Sequence, residues 1–428
     1  MTQTSPTLIH DEPVMTDPDV HSAERRKLLL LAGIMAGGIG LSLMTGTFPV
    51  VAFCFAMAAV VMLHEAAHFA AAKWSGMKAT EFFFGFGPRL WSVRKGETEY
   101  GIKAIPFGGY VKIIGMSNLE RDIAPEDESR TYRQASYPKR MLVAMAGVAT
   151  HFTMAFLLLV LLLTVVGVPN YDKPSLTVGS LSRLETGQSP ATDAGFKVGD
   201  RILAVGGRAV ANWDAVLPLV RESPERPLAF VVERDGQQVT LTATPARLER
   251  DGVTRGFIGV GPKPEIEKTN PIAASGEAIA DIWDLSVGSL KALGSFFTPS
   301  ALRDYAGELT NSTNNKPASA DDQRFVSVVG VARIAGQAAE SGIFNVVYLL
   351  VLLNIFIGVF NLVPLLPLDG GHVAIGTYER LRSRAGRRYQ ADVGKMMPIA
   401  AAVIIVLVLI GVSSIYLDIV KPVANPFQ

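Results

Sequence analysis

The pentad His64-Glu65-Ala66-Ala67-His68 holds the residues of this chain best suited to chemistry. On a helix, an HExxH pattern sets two imidazoles at i and i+4 on one face, spaced for a single Zn²⁺. The intervening Glu65 can take a proton from a water on that metal. The preceding run, Leu28 to Leu63, contains no Asp, Glu, Lys or Arg. Ionisable groups beside lipid-spanning sequence are costly and mark function by default. The placement suggests hydrolysis inside a membrane.

A third ligand is offered by Asp369. It closes the run Ile343–Leu368 in the segment Asn361-Leu362-Val363-Pro364-Leu365-Leu366-Pro367-Leu368-Asp369-Gly370-Gly371. In water, a carboxylate at a helix end is ordinary. Here two prolines and two glycines unwind the backbone, which membranes tolerate only where it faces protein or a water-filled cavity. Two histidines and one aspartate leave a position of tetrahedral zinc open, the arrangement of a hydrolytic rather than a structural site.

Such groups need spans to position them. Hydrophobic residues make up 49% of the 428 and charged residues 18%, which suits a membrane protein with sizeable aqueous parts. A net charge of +1 gives no case for nucleic acid, and the single Cys54 excludes an intramolecular disulfide or a multi-cysteine zinc site. Residues 1–27 read as a polar, disordered cytoplasmic tail rather than a signal peptide. As one helix, Leu28–Leu63 would extend ~54 Å against ~30 Å of hydrocarbon. It must break at Thr45–Pro49, giving helices over 28–44 and 49–74. Spans at 141–168, 343–372 and 396–417 bring the total to five, with an interfacial arm as the alternative for 28–44.

Lys and Arg set the orientation. Arg25-Arg26-Lys27, the basic segment Lys73–Arg140 and the loop Arg380–Lys395 share one side, the cytoplasm, if there are five spans. His64 then lies ~22 Å beyond Pro49 along its helix, in the inner part of the bilayer. Asp369 ends another span running the same way, so the depths match.

Between the spans, residues 80–115 have β character. Strands Arg89–Val93 and Thr98–Ile105 flank Lys95-Gly96-Glu97, and Tyr110–Ile114 follows Gly108-Gly109. Residues 175–245 change to soluble α/β patterning: a strand at Leu176–Leu181, a helix at Asn212–Arg221 capped by Asn212, and a hairpin across Asp235-Gly236. Over 276–298, Ile279, Trp283, Leu290 and Phe297 recur at helical spacing, as in an amphipathic helix on the outer membrane surface. Asn311–Asp322 reads as polar loop.

HEAAH, NLVPLLPLDGG and, between them, AGFKVGDRILAVGGRAV resemble the site-2 protease family of intramembrane zinc metalloproteases, in its bacterial regulated-proteolysis branch. The likeness covers about Pro49 to Val420. It implies a polytopic α-helical protein of the bacterial plasma membrane, with about five transmembrane helices, a re-entrant β-hairpin region and one extracytoplasmic PDZ-like domain. It further implies Zn²⁺ on His64, His68 and Asp369 near the cytoplasmic side, with Glu65 as general base and later proton donor. Asn361 and Pro364 would line the substrate groove. An edge of the β-loop would pair with unwound substrate backbone, and the PDZ groove would bind peptide or exclude bulk. Partners by this resemblance are membrane lipid and single-pass membrane proteins of the anti-sigma-factor type, cut after another protease has acted. The extra first span and the single PDZ-like segment depart from the family pattern. His151 reads as a packed polar residue and His372 as structural. A non-catalytic adaptor with a PDZ domain and structural zinc is the rival, opposed by the intact Glu65. A metal transporter lacks the chain of intramembrane carboxylates it would need.

Overall fold

The computed structural model describes residues 18–116, 120, 123–184, 187, 189–250, 253–310, 324–383, 387 and 389–427. The expected tail over residues 1–17 and the polar loop Asn311–Asp322 lie outside them. The chain divides into two compact units, one of residues 162–273 and one of the flanking segments.

In the flanking unit, α1 spans Pro18–Thr45 and α2 spans Phe48–Trp74. The sequence expectation of a disordered stretch up to residue 27 is corrected over 18–27, which is helical. Ala23, Glu24, Arg25, Arg26 and Lys27 are good helix formers that no hydropathy pattern reveals. The chain breaks between α1 and α2 where Pro49 fits the first turn of the new helix. Four helices are long and apolar enough to cross a membrane: Phe48–Trp74, Tyr137–Val166, Ile343–Asn361 and Val393–Val420. The apolar part of α1, Leu29–Thr45, is shorter. The protein is therefore a multi-pass membrane protein.

After α2, strands β1 (Ala79–Lys95) and β2 (Thr98–Ile113) form one sheet. Both strands run longer than the sequence pattern suggests, and both bend. Segment 81–84 lies between two partners, 99–102 on one side and 109–112 on the other, while 89–95 pairs with 98–103. Segment 109–113 is thus left at an edge. The turn at Glu97 is tied down by Lys73 of α2 and by Arg130 at 2.6 Å. These two cations, Arg130 first, hold the Glu97 carboxyl at a pKa of about 2.

Helix α3 (Tyr137–Leu161) packs against α2, and later helices also pack on it. Its buried face, including Val143, Ala144, Gly147, Val148, His151 and Ala155, is mostly small, which lets neighbouring helices close in.

The unit of residues 162–273 holds β3 (Val168–Leu181), α4 (Pro190–Asp193), β4 (Arg201–Val205), β5 (Arg208–Ala209), α5 (Trp213–Arg221), β6 (Leu228–Arg234), β7 (Gln237–Ala243), β8 (Ala246–Arg250), β9 (Val253–Phe257) and β10 (Val260–Glu267). A six-stranded sheet runs β10-β3-β4-β6-β7 with β5 on β4, and β8 and β9 form a separate hairpin. Asn212 caps α5, its side chain accepting from the Ala215 N–H at 3.0 Å. The helix then lays Trp213, Val216 and Val220 into a core with Ile202, Phe230 and Val232. Pro218 is accommodated inside α5.

The chain returns to the first unit through α6 (Pro271–Phe296), α7 (Pro299–Thr310) and α8 (Val328–Ser341). Helix α6 starts earlier than position 276, and its Ile279, Trp283 and Leu290 are exposed. Helix α9 (Ile343–Asn361) packs on α3, the loop 362–368 follows, and α10 (Asp369–Arg382) turns back along α3. Helix α11 (Met397–Val420) completes the chain. Its Asp418 receives Arg324 at 2.9 Å and the Ser327 N–H at 2.7 Å, fixing the start of α8 to the end of α11.

Candidate metal centre

Helical spacing on α2 brings His64 and His68 to one face, where both are buried against α3. The loop after α9 delivers Asp369 to the same point. Gly370 and Gly371 make this possible, because a Cβ on Gly370 would lie 2.3 Å from the Leu362 carbonyl oxygen and one on Gly371 2.7 Å from the Leu366 nitrogen. The loop folds back on the start of α10 without that obstacle.

Three ligand atoms converge. His64 Nε2 and His68 Nε2 are 3.2 Å apart, and Asp369 Oδ2 stands 3.5 Å from the first and 3.3 Å from the second. Tetrahedral zinc with bonds of ~2.1 Å separates its ligand atoms by ~3.4 Å. The triangle fits that ion. Its chemistry fits too: Asp369 Oδ2 is buried with no hydrogen-bond partner, an expensive state without a cation. Among the described residues, these three are the only His, Cys, Asp and Glu group gathered closely enough to hold a metal.

Surrounding groups orient the ligands. His68 Nδ1–H donates to the Val143 carbonyl at 2.7 Å, which leaves Nε2 bearing its lone pair toward the cluster. Glu65 sits alongside, Oε1 4.0 Å from His64 Nε2, and its Oε2 accepts from the Val111 N–H at 3.1 Å. Val111 belongs to the sheet edge 109–113, so the carboxylate meets that edge and takes one of its outward donors. Gly147 of α3 faces both imidazoles: a Cβ there would lie 2.4 Å from His64 Cε1 and from His68 Nε2. Nothing larger than glycine leaves the ligands where they are.

Not every residue singled out in the sequence joins the cluster. Asn361 ends α9 half-buried, and Pro364 is exposed on the loop. His372 stacks edge-on against Tyr132, with ring centres 6.0 Å apart. His151 is fully buried, its ring centre 4.9 Å from that of His64. Its Nδ1 lies 3.2 Å from Asn354 Oδ1, whose own amide donates to the Leu350 carbonyl, so the Nδ1–H donates to Asn354. Gly147, Val143 and Val111 escaped the sequence reading. The first had a signal, standing four residues before His151 and so on the same face of α3. The other two act through backbone atoms, which no residue type announces.

Helices long and apolar enough to cross a membrane, with a hydrolytic-type ligand set between them, define a class of intramembrane metalloenzyme. Comparison with known proteins makes the class specific. The profile of peptidase family M50 matches residues 52–407. The chain is 33% identical over 409 residues to zinc metalloprotease Rip1 of Mycobacterium tuberculosis, covering 87% of this chain and 98% of that protein. It is 34% identical over 407 residues to zinc metalloprotease Rip1 of Mycolicibacterium smegmatis, covering 88% and 98%. Metalloprotease MmpA of Caulobacter vibrioides is 29% identical over 373 residues, 78% and 87% of the two chains. The chain belongs to peptidase family M50, the site-2 protease family, and is a zinc metalloendopeptidase by that membership.

Proposed function

We propose that this protein cleaves single-pass membrane proteins within the bilayer, near its cytoplasmic face, after another protease has removed their outer domains. The observation that carries the reading is the triangle of buried His64 and His68 with half-buried Asp369, and Glu65 beside it. These three residues would hold zinc. When bound, zinc supplies a Lewis acid that polarises a peptide carbonyl and acidifies water. Glu65 accepts a proton from the attacking water and returns it to the departing amine, as its reach into the cluster allows. Val143 and Gly147 keep the imidazoles in register for that work.

The substrate must unwind to be cut, and donors and acceptors freed in lipid cost several kcal/mol each unless paired again. The edge position of 109–113 supports a role in taking up that backbone as an added strand, with Asn361 and Pro364 along the path. Residues 175–245 act as an extracytoplasmic PDZ-like filter, binding peptide or excluding unprocessed substrates by bulk. Residues 28–44 form a fifth span with a cytoplasmic N-terminus. Anti-sigma factors are the substrate type this reading favours.

The test separates metal binding from proton transfer. Glu65→Gln keeps all three ligands, so zinc should co-purify at the wild-type level while cleavage of a reconstituted transmembrane substrate is lost. Undiminished cleavage by Glu65→Gln would remove Glu65 from the mechanism.

A further inference from the structure

Glu65 spans the space between the ligand triangle and the sheet edge 109–113. Its Oε1 stands 4.0 Å from His64 Nε2, and its Oε2 accepts from the Val111 N–H at 3.1 Å. Segment 109–113 pairs with 79–84 on one side, and among the described residues no strand lies on the other. The Val111 N–H that meets Glu65 therefore points out of the sheet. In an antiparallel strand the C=O of the same residue points with it, so Val111 is a position at which an added strand would bond. The contact has a reason in the resting protein. A strand donor left open beside lipid costs several kcal/mol, and a carboxylate gives it a bond roughly twice as strong as a neutral acceptor would.

One donor cannot serve two acceptors well. A strand added at Val111 would bring a carbonyl oxygen to ~2.9 Å from that nitrogen and its backbone to ~4.8 Å from the edge, the space that the Glu65 carboxylate now takes. We propose that Glu65 is a latch as well as a base: in the resting protein it holds the Val111 N–H, and an extended substrate segment releases it by taking that donor. The inference rests on the reading of Glu65 as the base and of 109–113 as the docking edge. Only unwound backbone can work the latch. In a helix each interior carbonyl already accepts from the N–H four residues on, so an intact transmembrane helix has no acceptor to offer Val111. Glu65 is half-buried rather than enclosed, which leaves its carboxylate room to turn once displaced. The base is then free only where a cleavable segment lies, and Val111 determines specificity through a backbone atom. The neighbouring residue keeps the edge in register while its outer donor changes partner: the Tyr110 hydroxyl accepts from Lys103 Nζ at 2.7 Å and donates to Glu81.

Substrate binding, measured without cleavage, tests the latch. Glu65→Gln and Glu65→Ala both lack the carboxylate, but only Gln keeps an acceptor for Val111. On zinc-loaded protein in nanodiscs, with a fluorescent model transmembrane substrate carrying helix-breaking residues, Glu65→Ala should bind about two- to tenfold more tightly than Glu65→Gln. That factor corresponds to one neutral hydrogen bond that no longer has to be broken. Val111→Pro removes the donor at an edge position that tolerates proline, and in that background the gap should close. Equal or weaker binding by Glu65→Ala with Val111 intact, or a gap that Val111→Pro leaves unchanged, overturns the proposal. The underlying reading fails by different signs, and the latch with it: Glu65→Gln still cleaves, or Val111→Pro leaves substrate binding by Glu65→Ala unaltered. Zinc content is the folding control. Should Val111→Pro not hold zinc, hydrogen exchange of the Val111 amide decides. It should be faster in Glu65→Ala than in Glu65→Gln, and slow again when substrate is added to Glu65→Ala; equal exchange in the two variants overturns the latch.

Discussion

Gly147→Ala is the sharpest perturbation of the metal centre, because it adds one methyl group and removes nothing. That methyl would lie 2.4 Å from both His64 Cε1 and His68 Nε2, so each ring must retreat by about 1 Å to reach ordinary contact. Metal-ligand distances tolerate only about 0.2 Å. The ligand triangle, now 3.2 to 3.5 Å on a side, cannot keep its shape. Disturbing groups that merely orient ligands costs 10- to 100-fold in affinity, and displacing two ligands directly should cost at least ~100-fold, about 2.7 kcal/mol. Metal-free stability should change less, since alanine in place of glycine favours a helix interior by up to ~1 kcal/mol and offsets part of the ~1–3 kcal/mol cost of overpacking. Zinc per chain, a chelator competition and a thermal unfolding curve on metal-free protein read out the two effects separately. Wild-type zinc affinity in a well-folded Gly147→Ala protein would refute the packing argument. Loss of zinc together with a large fall in metal-free stability would show that α3, rather than the site, had been disrupted.

Asp369→Ala should lose zinc as severely as His64→Ala, at least ~100-fold in affinity, because each removes one of three protein ligands; full occupancy in Asp369→Ala would put the third ligand elsewhere. In residues 162–273, Arg234 donates from Nε and Nη2 to the two oxygens of Asp200, each at 2.7 Å. Burial pushes the Asp200 carboxyl up, but Arg234 and the Lys197 N–H outweigh it and hold the group below its ordinary value. A lowered carboxylate pKa stabilises fully above the unfolded value, ~3.9, and that stabilisation is lost as pH falls through the folded value. Arg234→Met should therefore destabilise this unit most at neutral pH, with the gap to wild type closing in acid, as followed by amide exchange over 195–205. A gap that does not change with pH would show the pair contributes packing alone. For topology, Cys54→Ser with a cysteine at Ser5 or at Gln237 should be labelled by an impermeant thiol reagent in intact cells only at Gln237. Labelling at Ser5 before lysis would leave α1 outside and reduce the spans to four.

What could be read from the sequence was what local chemistry dictates. His64 and His68 were legible because helical periodicity alone places them together, and the uncharged run before them places them in lipid. Asp369 was legible at one remove, since its prolines and glycines announce unwound backbone at a depth that orientation then matches to His64. The β region was legible as strands but not as a sheet. Turn residues mark where a chain reverses, yet the insertion of 81–84 between 99–102 and 109–112 is a pairing of segments that are not neighbours in sequence. That arrangement leaves 109–113 at the edge, against Glu65. The helical character of residues 18–27 was hidden because hydropathy reports burial, and these residues are polar.

Gly147 and Arg140 show why the remainder stays hidden. Glycine is common in membrane-crossing helices, so its type says little. Its necessity comes from two imidazoles on another helix that approach closer than a Cβ permits. Arg140 is one basic residue among many near the inner boundary and counts in the sequence only toward orientation. In the fold it loses water and gains Glu379. The two residues sit on the same helix, seven positions and about two turns apart, yet they face different problems. Gly147 clears space for a metal, and Arg140 neutralises the buried Glu379. Helix α3 therefore couples the two sides of the Asp369 loop: its midsection sets the ligand rings, and its first turn anchors α10 through Glu379. Any displacement of α10, from either side, is transmitted to Asp369 because that residue is the first of the same helix.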